Sequence, residues 1–342
     1  MKKYTLAWLA FMAIKRLSKT ELFKDKKAKK LPLDKEASSL VDWFMNYRDF
    51  VLQGAWYPNL VFDDQETSHV AKYIPARKVG DKSPLKALPQ CLAVEKFLKK
   101  NSRRYKEESF SLVQGNLCDR CNAMYHTIYD NFKIQFREEK GNPISPSANH
   151  LGMRFFMMAH YIADGHMPMH CDDRQLRRIR DCIGSAWERD VRLSYKVDLP
   201  NQRFFYDRYG FPKKDKLTSL LLDVEEEILK RPFTFGWGGS GKAENKNLYD
   251  YMKAVTQRSY LMSYEMFPAD FDDMGWKDYK ETDVYKKHFD EYSVMILSDT
   301  IDSIARAWLN VWMDFHNWNP YKKAQELYNG KEIFDEKEEK EE

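Results

Sequence analysis

The residues best placed to do chemistry lie between Met158 and Asp173, in the segment MAHYIADGHMPMHCDD. His160 and Asp164 are four residues apart, so on a helix they stand one above the other on a single face. Pro168 disfavours the α conformation at Met167, so a helix carrying the pair should end near that point. His170 then follows on the exiting loop, where it can fold back over the same site. Two imidazoles and a carboxylate are a ligand set that suits zinc and related cations. The competing reading of such residues is a hydrogen-bonded polar pair inside a helical core.

The elements that must position these residues read as helices. Ser147 or Asn149 can cap the helix of the motif. The apolar run Tyr4–Ile14 follows Met-Lys-Lys as a signal peptide would, but it runs into Lys15-Arg16 without a small-x-small step, which predicts a buried helix. Further helices are expected over Leu40–Gly54, Leu85–Lys100, Cys121–Phe136, Leu217–Lys230 and Asn247–Phe267, and from near Arg174 to Lys196. The longest pattern runs from Val284 to about Phe315, with Val294, Leu297, Ile301, Ile304, Trp308, Trp312 and Phe315 at steps of three and four. Residues 197–215 read as a loop and Lys24–Lys35 as a lysine-rich linker. Strand-like alternation is nearly absent, so the chain is expected to be all-α, one multi-helix domain over residues 1–330 with a charged tail over 331–342.

Composition agrees with a packed globular chain. The 342 residues are 43% hydrophobic and 15% aromatic, with nine Trp, which excludes a disordered protein. The net charge of +4 comes from 56 basic and 52 acidic residues, which argues against a general nucleic-acid coat and leaves room for a local basic groove. The five cysteines cannot close into a full disulfide set, and a cytoplasmic, reducing location is expected. No apolar run is long enough for a transmembrane helix.

The motif segment resembles the zinc-dependent phospholipase C and S1/P1 nuclease superfamily, whose core reads roughly H-[FY]-[IV]-[GA]-D-x-x-x-P-[LM]-H. His160, Tyr161, Ile162, Ala163, Asp164, Pro168, Met169 and His170 match it in register. Upstream, Gly54–Asn59 (GAWYPN) and Thr67–Tyr73 (TSHVAKY) resemble the part of the family that supplies an aspartate and a histidine. Downstream, Trp187-Glu188 resembles its [FWY]-[DE] ligand step. The resemblance spans residues 40 to 315 and is specific at 158–173.

The resemblance implies a helical fold of that type and a cluster of up to three zinc ions that binds a phosphodiester and activates water. It assigns His69, His160 and Asp164 to a first metal position, with Asn59 where the family has an aspartate and Asp63 or Asp64 as possible replacements. Asp164 matches the bridging aspartate and is the catalytic anchor. A second position keeps His170 and Glu188. The family places another histidine one or two turns before that glutamate; this chain has none there, and Cys182 is the candidate thiolate substitute. A third position uses an N-terminal tryptophan amine and a nearby histidine in the family, whereas this chain has Trp8 and no histidine before His69. One or two zinc ions are therefore expected rather than three.

The function implied is zinc-dependent hydrolysis of a phosphodiester, either a phospholipid headgroup or single-stranded nucleic acid. The alternative is a catalytically impaired metal-binding or structural protein that keeps the fold. Trp56, Tyr57, Tyr161 and Trp187 are aromatic residues near the site that could stack a base or pack a lipid. Three weaker signals read as structural. Cys118-Asp-Arg-Cys121 has no second pair, GWGGSGKA at 236–243 has Ala where a P-loop needs Ser or Thr, and His166 falls on another face than Asp164. His126 and His150 are further imidazoles near the core.

Overall fold

The computed structural model describes residues 1–18, 33–62, 64–75, 85–107, 110–137, 146–234, 236–238, 245–267 and 274–318. The expected tail, most of the lysine-rich linker and part of the glycine-rich segment lie outside the described residues, as does Asp63. The described chain is predominantly helical. Its helices are α1 (Lys3–Leu17), α2 (Leu33–Asn46), α3 (Val51–Val61), α4 (Ala93–Asn101), α5 (Arg104–Glu107), α6 (Leu117–Arg137) and α7 (Ala148–Gly165). Then follow α8 (Pro168–Cys171), α9 (Arg177–Ser194), α10 (Ser219–Lys230), α11 (Leu248–Met266), α12 (Trp276–Glu281) and α13 (Asp283–Trp318). Two short antiparallel pairs complete it: β1 (Lys72–Pro75) with β2 (Phe110–Gln114), and β3 (Val197–Asp198) with β4 (Arg203–Phe204).

The apolar run after the first lysines is α1, buried along nearly all its length. It packs against α13, α3, α9 and α7. A helix that is apolar on every side belongs inside a core, and one hydrophobic core here runs from Tyr4 to Met313. The end of α1 is fixed by charge. Arg16 donates from Nε to Asp302 Oδ1 at 2.7 Å and from Nη2 to the Arg231 carbonyl at 2.9 Å. Arg231 pairs in turn with Asp299 of α13. None of the described helices is long and apolar enough to cross a membrane.

Several expected boundaries shift for identifiable reasons. The helix expected over Leu40–Gly54 is two helices, α2 and α3, parted by a single 3₁₀ turn at Arg48–Phe50. The helix expected from Leu85 begins only at Ala93, because the Asp299 carboxylate accepts the Ala93 and Val94 amides at 2.8 and 2.9 Å and caps α4 from across the core. The motif helix ends just ahead of Pro168, as expected. That helix stops at Gly165, Met167 is extended ahead of the proline, and Pro168 opens the one-turn helix α8. His170 is therefore helical rather than on a loop. The 197–215 loop contains the β3–β4 hairpin.

Helix α13 packs on α7. Trp308 is wholly buried, and its Nε1–H donates to the Phe155 carbonyl at 3.0 Å. Gly54 lets α3 approach α7 closely, since a Cβ there would stand 2.6 Å from Phe156 Cβ and 2.7 Å from the Met153 carbonyl oxygen.

Candidate metal centre

Helix α7 carries His160 and Asp164 one turn apart, both buried. Ser147 caps this helix by accepting the His150 amide. The close approach of α3 brings the Ala55 carbonyl to His160, whose Nδ1–H donates to it at 2.6 Å. That bond places the proton on Nδ1 and leaves a lone pair on Nε2. His160 Nε2 lies 3.2 Å from Asp164 Oδ2 and 3.2 Å from His69 Nδ1.

His69 arrives on the turn between α3 and β1. The Asp64 carbonyl accepts the Ser68 amide at 2.8 Å and starts that turn. Gly115 pins its far end: its φ is +94°, and a Cβ would fall 2.0 Å from the Val70 carbonyl oxygen. The Leu117 amide donates to that same Val70 carbonyl at 3.2 Å. Helix α8 is tied to the turn twice. The Ala71 amide donates to the His170 carbonyl at 3.0 Å, and His170 Nδ1–H donates to the His69 carbonyl at 2.6 Å. His170 thus also keeps its lone pair on Nε2, which lies 3.8 Å from Asp164 Oδ1.

The potential ligand atoms of His69, His160 and Asp164 lie within 4.8 Å of one another, and the group could hold a metal ion. His69 Nδ1 is 2.7 Å from Asp164 Oδ2, and its Nε2 is 3.1 Å from Asp64 Oδ1. With Nε2–H donating to Asp64, three lone pairs converge on one point: His69 Nδ1, His160 Nε2 and Asp164 Oδ2. Such an arrangement needs one positive charge at its centre, either a proton on His69 or a metal cation. Burial works to lower the His69 pKa, but Asp164 and Asp64 outweigh it and raise it.

The second oxygen of Asp164 faces the other way. Oδ1 is buried with no hydrogen-bond partner, flanked by His170 Nε2 and by the Met1 amino group at 3.6 Å. Asp164 therefore offers one oxygen to each of two neighbouring positions, the geometry a bridging carboxylate requires. Burial would raise its pKa, but the imidazoles of His160 and His170 and the Met1 amine hold it well below the usual carboxylate range. Burial keeps His170 neutral, pushing its pKa down to about 3. A buried carboxylate oxygen that takes no hydrogen bond, beside a neutral imidazole lone pair, fits a cation, and the Met1 ammonium at 3.6 Å answers to the same charge.

These groups open onto a cavity of about 900 Å³ that Asn59, Asp164, His170 and Glu188 all line. Glu188 is held at its wall by α1, accepting the Tyr4 and Thr5 amides at 3.1 and 2.8 Å and the Thr5 hydroxyl at 3.0 Å. It serves as the cap of that helix. Asn59 accepts from Gln65 Nε2 at 2.9 Å. On α9 the cavity face carries Asp181, Gly184, Glu188 and Arg192. The positions one and two turns before Glu188 are thus Gly184 and Asp181. Cys182 is half-buried and does not line the cavity.

The residue that spacing alone did not assign to this role is Asp64. It stands behind His69 and is itself held by Arg120 Nη2 at 2.6 Å and the Tyr161 hydroxyl at 3.4 Å. An acidic residue five positions before a candidate ligand histidine on a turn was the available signal. Other candidates lie apart. His166 turns to α13 and meets Ser303 Oγ at 2.8 Å, while His126 and His150 are exposed. Cys118 and Cys121 are buried in the first turns of α6, and burial pushes the Cys118 thiol up to about 12.

Five basic side chains, Lys2, Lys3, Arg180, Arg189 and Arg192, share the cavity wall with three acidic ones, Asp164, Asp181 and Glu188. The wall can therefore hold an anion beside the metal-competent group. Comparison with family models, with curated proteins and with solved structures finds no match to this chain.

Proposed function

We propose that the chain is a zinc-dependent phosphodiester hydrolase of the phospholipase C and S1/P1 nuclease type. The observation that carries the reading is the two-sided Asp164 carboxylate, with His69 and His160 at one oxygen and His170 at the other. His69, His160 and Asp164 would hold one zinc ion, and Asp164 Oδ1 with His170 would contribute to a second. Zinc bound there would supply a Lewis acid that lowers the pKa of water and neutralises phosphate charge.

The chain's own groups account for the rest. The Ala55 and His69 carbonyls fix the tautomers of His160 and His170, and Asp64 fixes that of His69. The arginines of α9 and Lys3 offer donors to the phosphate oxygens. In the reaction the oxygen of water joins phosphorus, the bond from phosphorus to one ester oxygen breaks, and that oxygen leaves with a proton as an alcohol. The five unpaired cysteines suit a reducing, cytoplasmic setting.

The test is turnover of a chromogenic phosphodiester by protein confirmed to hold zinc. The reading expects zinc-dependent hydrolysis that Asp164→Asn abolishes with the helical fold retained. Absence of turnover in zinc-loaded protein would overturn it.

One observation favours the alternative, a fold that binds metal with impaired turnover. Gly184 and Asp181 stand where the resemblance calls for a histidine, and Glu188 is engaged by α1. Gly184→His separates the two readings. A Cβ at this position meets Lys2 Cγ at 3.7 Å and Met1 Cα at 4.0 Å, ordinary contacts, so the side chain has room to start. A gain of turnover in this variant over an inactive parent supports impairment by ligand loss.

A further inference from the structure

We infer that the mouth of this cavity selects an anionic phospholipid at a lipid surface, over a choline lipid or single-stranded nucleic acid; the inference rests on the phosphodiester reading and narrows its substrate. Charge is the first argument. Of the three carboxylates in the wall, Asp164 faces the histidines and Glu188 accepts the first amides of α1. Asp181 stands 3.6 Å from Arg180. Arg189 stands 3.8 Å from Asp190, and Lys2, Lys3 and Arg192 leave the wall with more basic than acidic side chains, which attracts anionic lipid and repels a quaternary ammonium.

Aromatic chemistry is the second argument. A choline group needs open aromatic faces, and a nucleic-acid base needs an aromatic platform. Trp56 is the aromatic residue in this wall, and the Lys3 ammonium already lies over its ring, 3.9 Å from the centroid. The other aromatic residues near the motif are occupied. Trp187 is wholly buried and donates to Ser293 Oγ at 3.0 Å. Tyr161 is buried against His69, and Tyr57 packs on Phe62.

Exposed aliphatic side chains are the third. Leu193, in the cavity wall, is 59% exposed. Leu60 and Val61, which directly follow the wall residue Asn59, are 60% and 52% exposed. A large aliphatic side chain left in water in the same wall as Arg189 and Arg192, with two more next to Asn59 in the chain, suits the boundary between headgroups and acyl chains.

The experiment uses the full chain with zinc bound. Binding is measured by cosedimentation with vesicles of phosphatidylglycerol and of phosphatidylcholine, and by anisotropy of a labelled single-stranded oligonucleotide. At least ~10-fold tighter binding to phosphatidylglycerol vesicles is expected, since several basic side chains act together. Arg189→Glu with Arg192→Glu should remove that preference, and Leu193→Asp should weaken vesicle binding, with an unchanged circular dichroism spectrum in each. Equal binding to the two vesicles, or tightest binding to the oligonucleotide, would overturn the inference. Turnover of the chromogenic diester, run alongside, reports on the phosphodiester reading separately. Turnover without lipid preference removes the inference alone, and lipid preference without turnover removes the reading and the substrate role with it, leaving only a lipid-binding face.

Discussion

His69 Nε2 stands 3.1 Å from Asp64 Oδ1, and this contact turns the Nδ1 of the same ring to within 2.7 Å of Asp164. Asp64 is in turn held by Arg120 and Tyr161. A carboxylate behind a ligand histidine fixes its tautomer and raises its basicity, and loss of such a partner weakens metal binding about 10–100-fold. Asp64→Asn should therefore lower zinc affinity by that order, read by competition with a chromophoric chelator. Its melting temperature without metal should stay close to the parent's. Unchanged affinity would show that Asp64 only braces the turn.

Gly115 links the fold to the site. Its φ of +94° and the 2.0 Å that a Cβ would leave to the Val70 carbonyl oxygen make it a position for glycine alone. Gly115→Ala should cost roughly 1–3 kcal/mol of stability, the range for enforced backbone strain. Because Val70 follows His69, the same change should weaken zinc binding. Denaturant unfolding with and without zinc checks both, and a stability loss with zinc affinity intact would uncouple the turn from the centre.

The pH dependence of stability should carry the mark of Glu225. Burial would raise its carboxyl, but Lys214 at 2.5 Å, the Tyr195 hydroxyl at 2.7 Å and Lys15 at 2.9 Å hold it below the ordinary value of 4.5. A folded-state pKa below the unfolded one means that the unfolded chain binds the proton more readily. The stabilisation is fully present above the ordinary value and is lost as pH falls through the folded-state pKa. Glu225→Gln should melt well below the parent at neutral pH, and the gap should narrow as pH drops under 4.5. A gap constant across that range would mean that the carboxylate charge contributes nothing.

Much of the site could be read from local spacing. His160 and Asp164 are set by helical geometry, and α7 delivers both. His69 and His170 were placed by resemblance and by the helix break, and the chain brings both to Asp164. What spacing could not supply is long-range. The start of α4 is set by Asp299 from more than two hundred residues away. Glu188 is engaged by the first turn of α1, a partner no local pattern names. β1 and β2 are too short to show alternation, and what defines them is their pairing across the chain, Lys72 opposite Gln114 and Pro75 opposite Phe110. The break at Met167 was legible from Pro168, but proline also suits the first turn of a helix, so the exit expected as a loop is the one-turn helix α8.

The most direct test of the metal centre is the zinc content of the purified, dialysed chain, measured by elemental analysis beside Asp164→Asn and His160→Ala. One or two zinc ions per chain are expected in the parent. Little or none is expected in either variant, with helical circular dichroism retained in all three. A parent that holds no zinc, or variants that hold as much as the parent, would contradict a metal centre built on His69, His160 and Asp164.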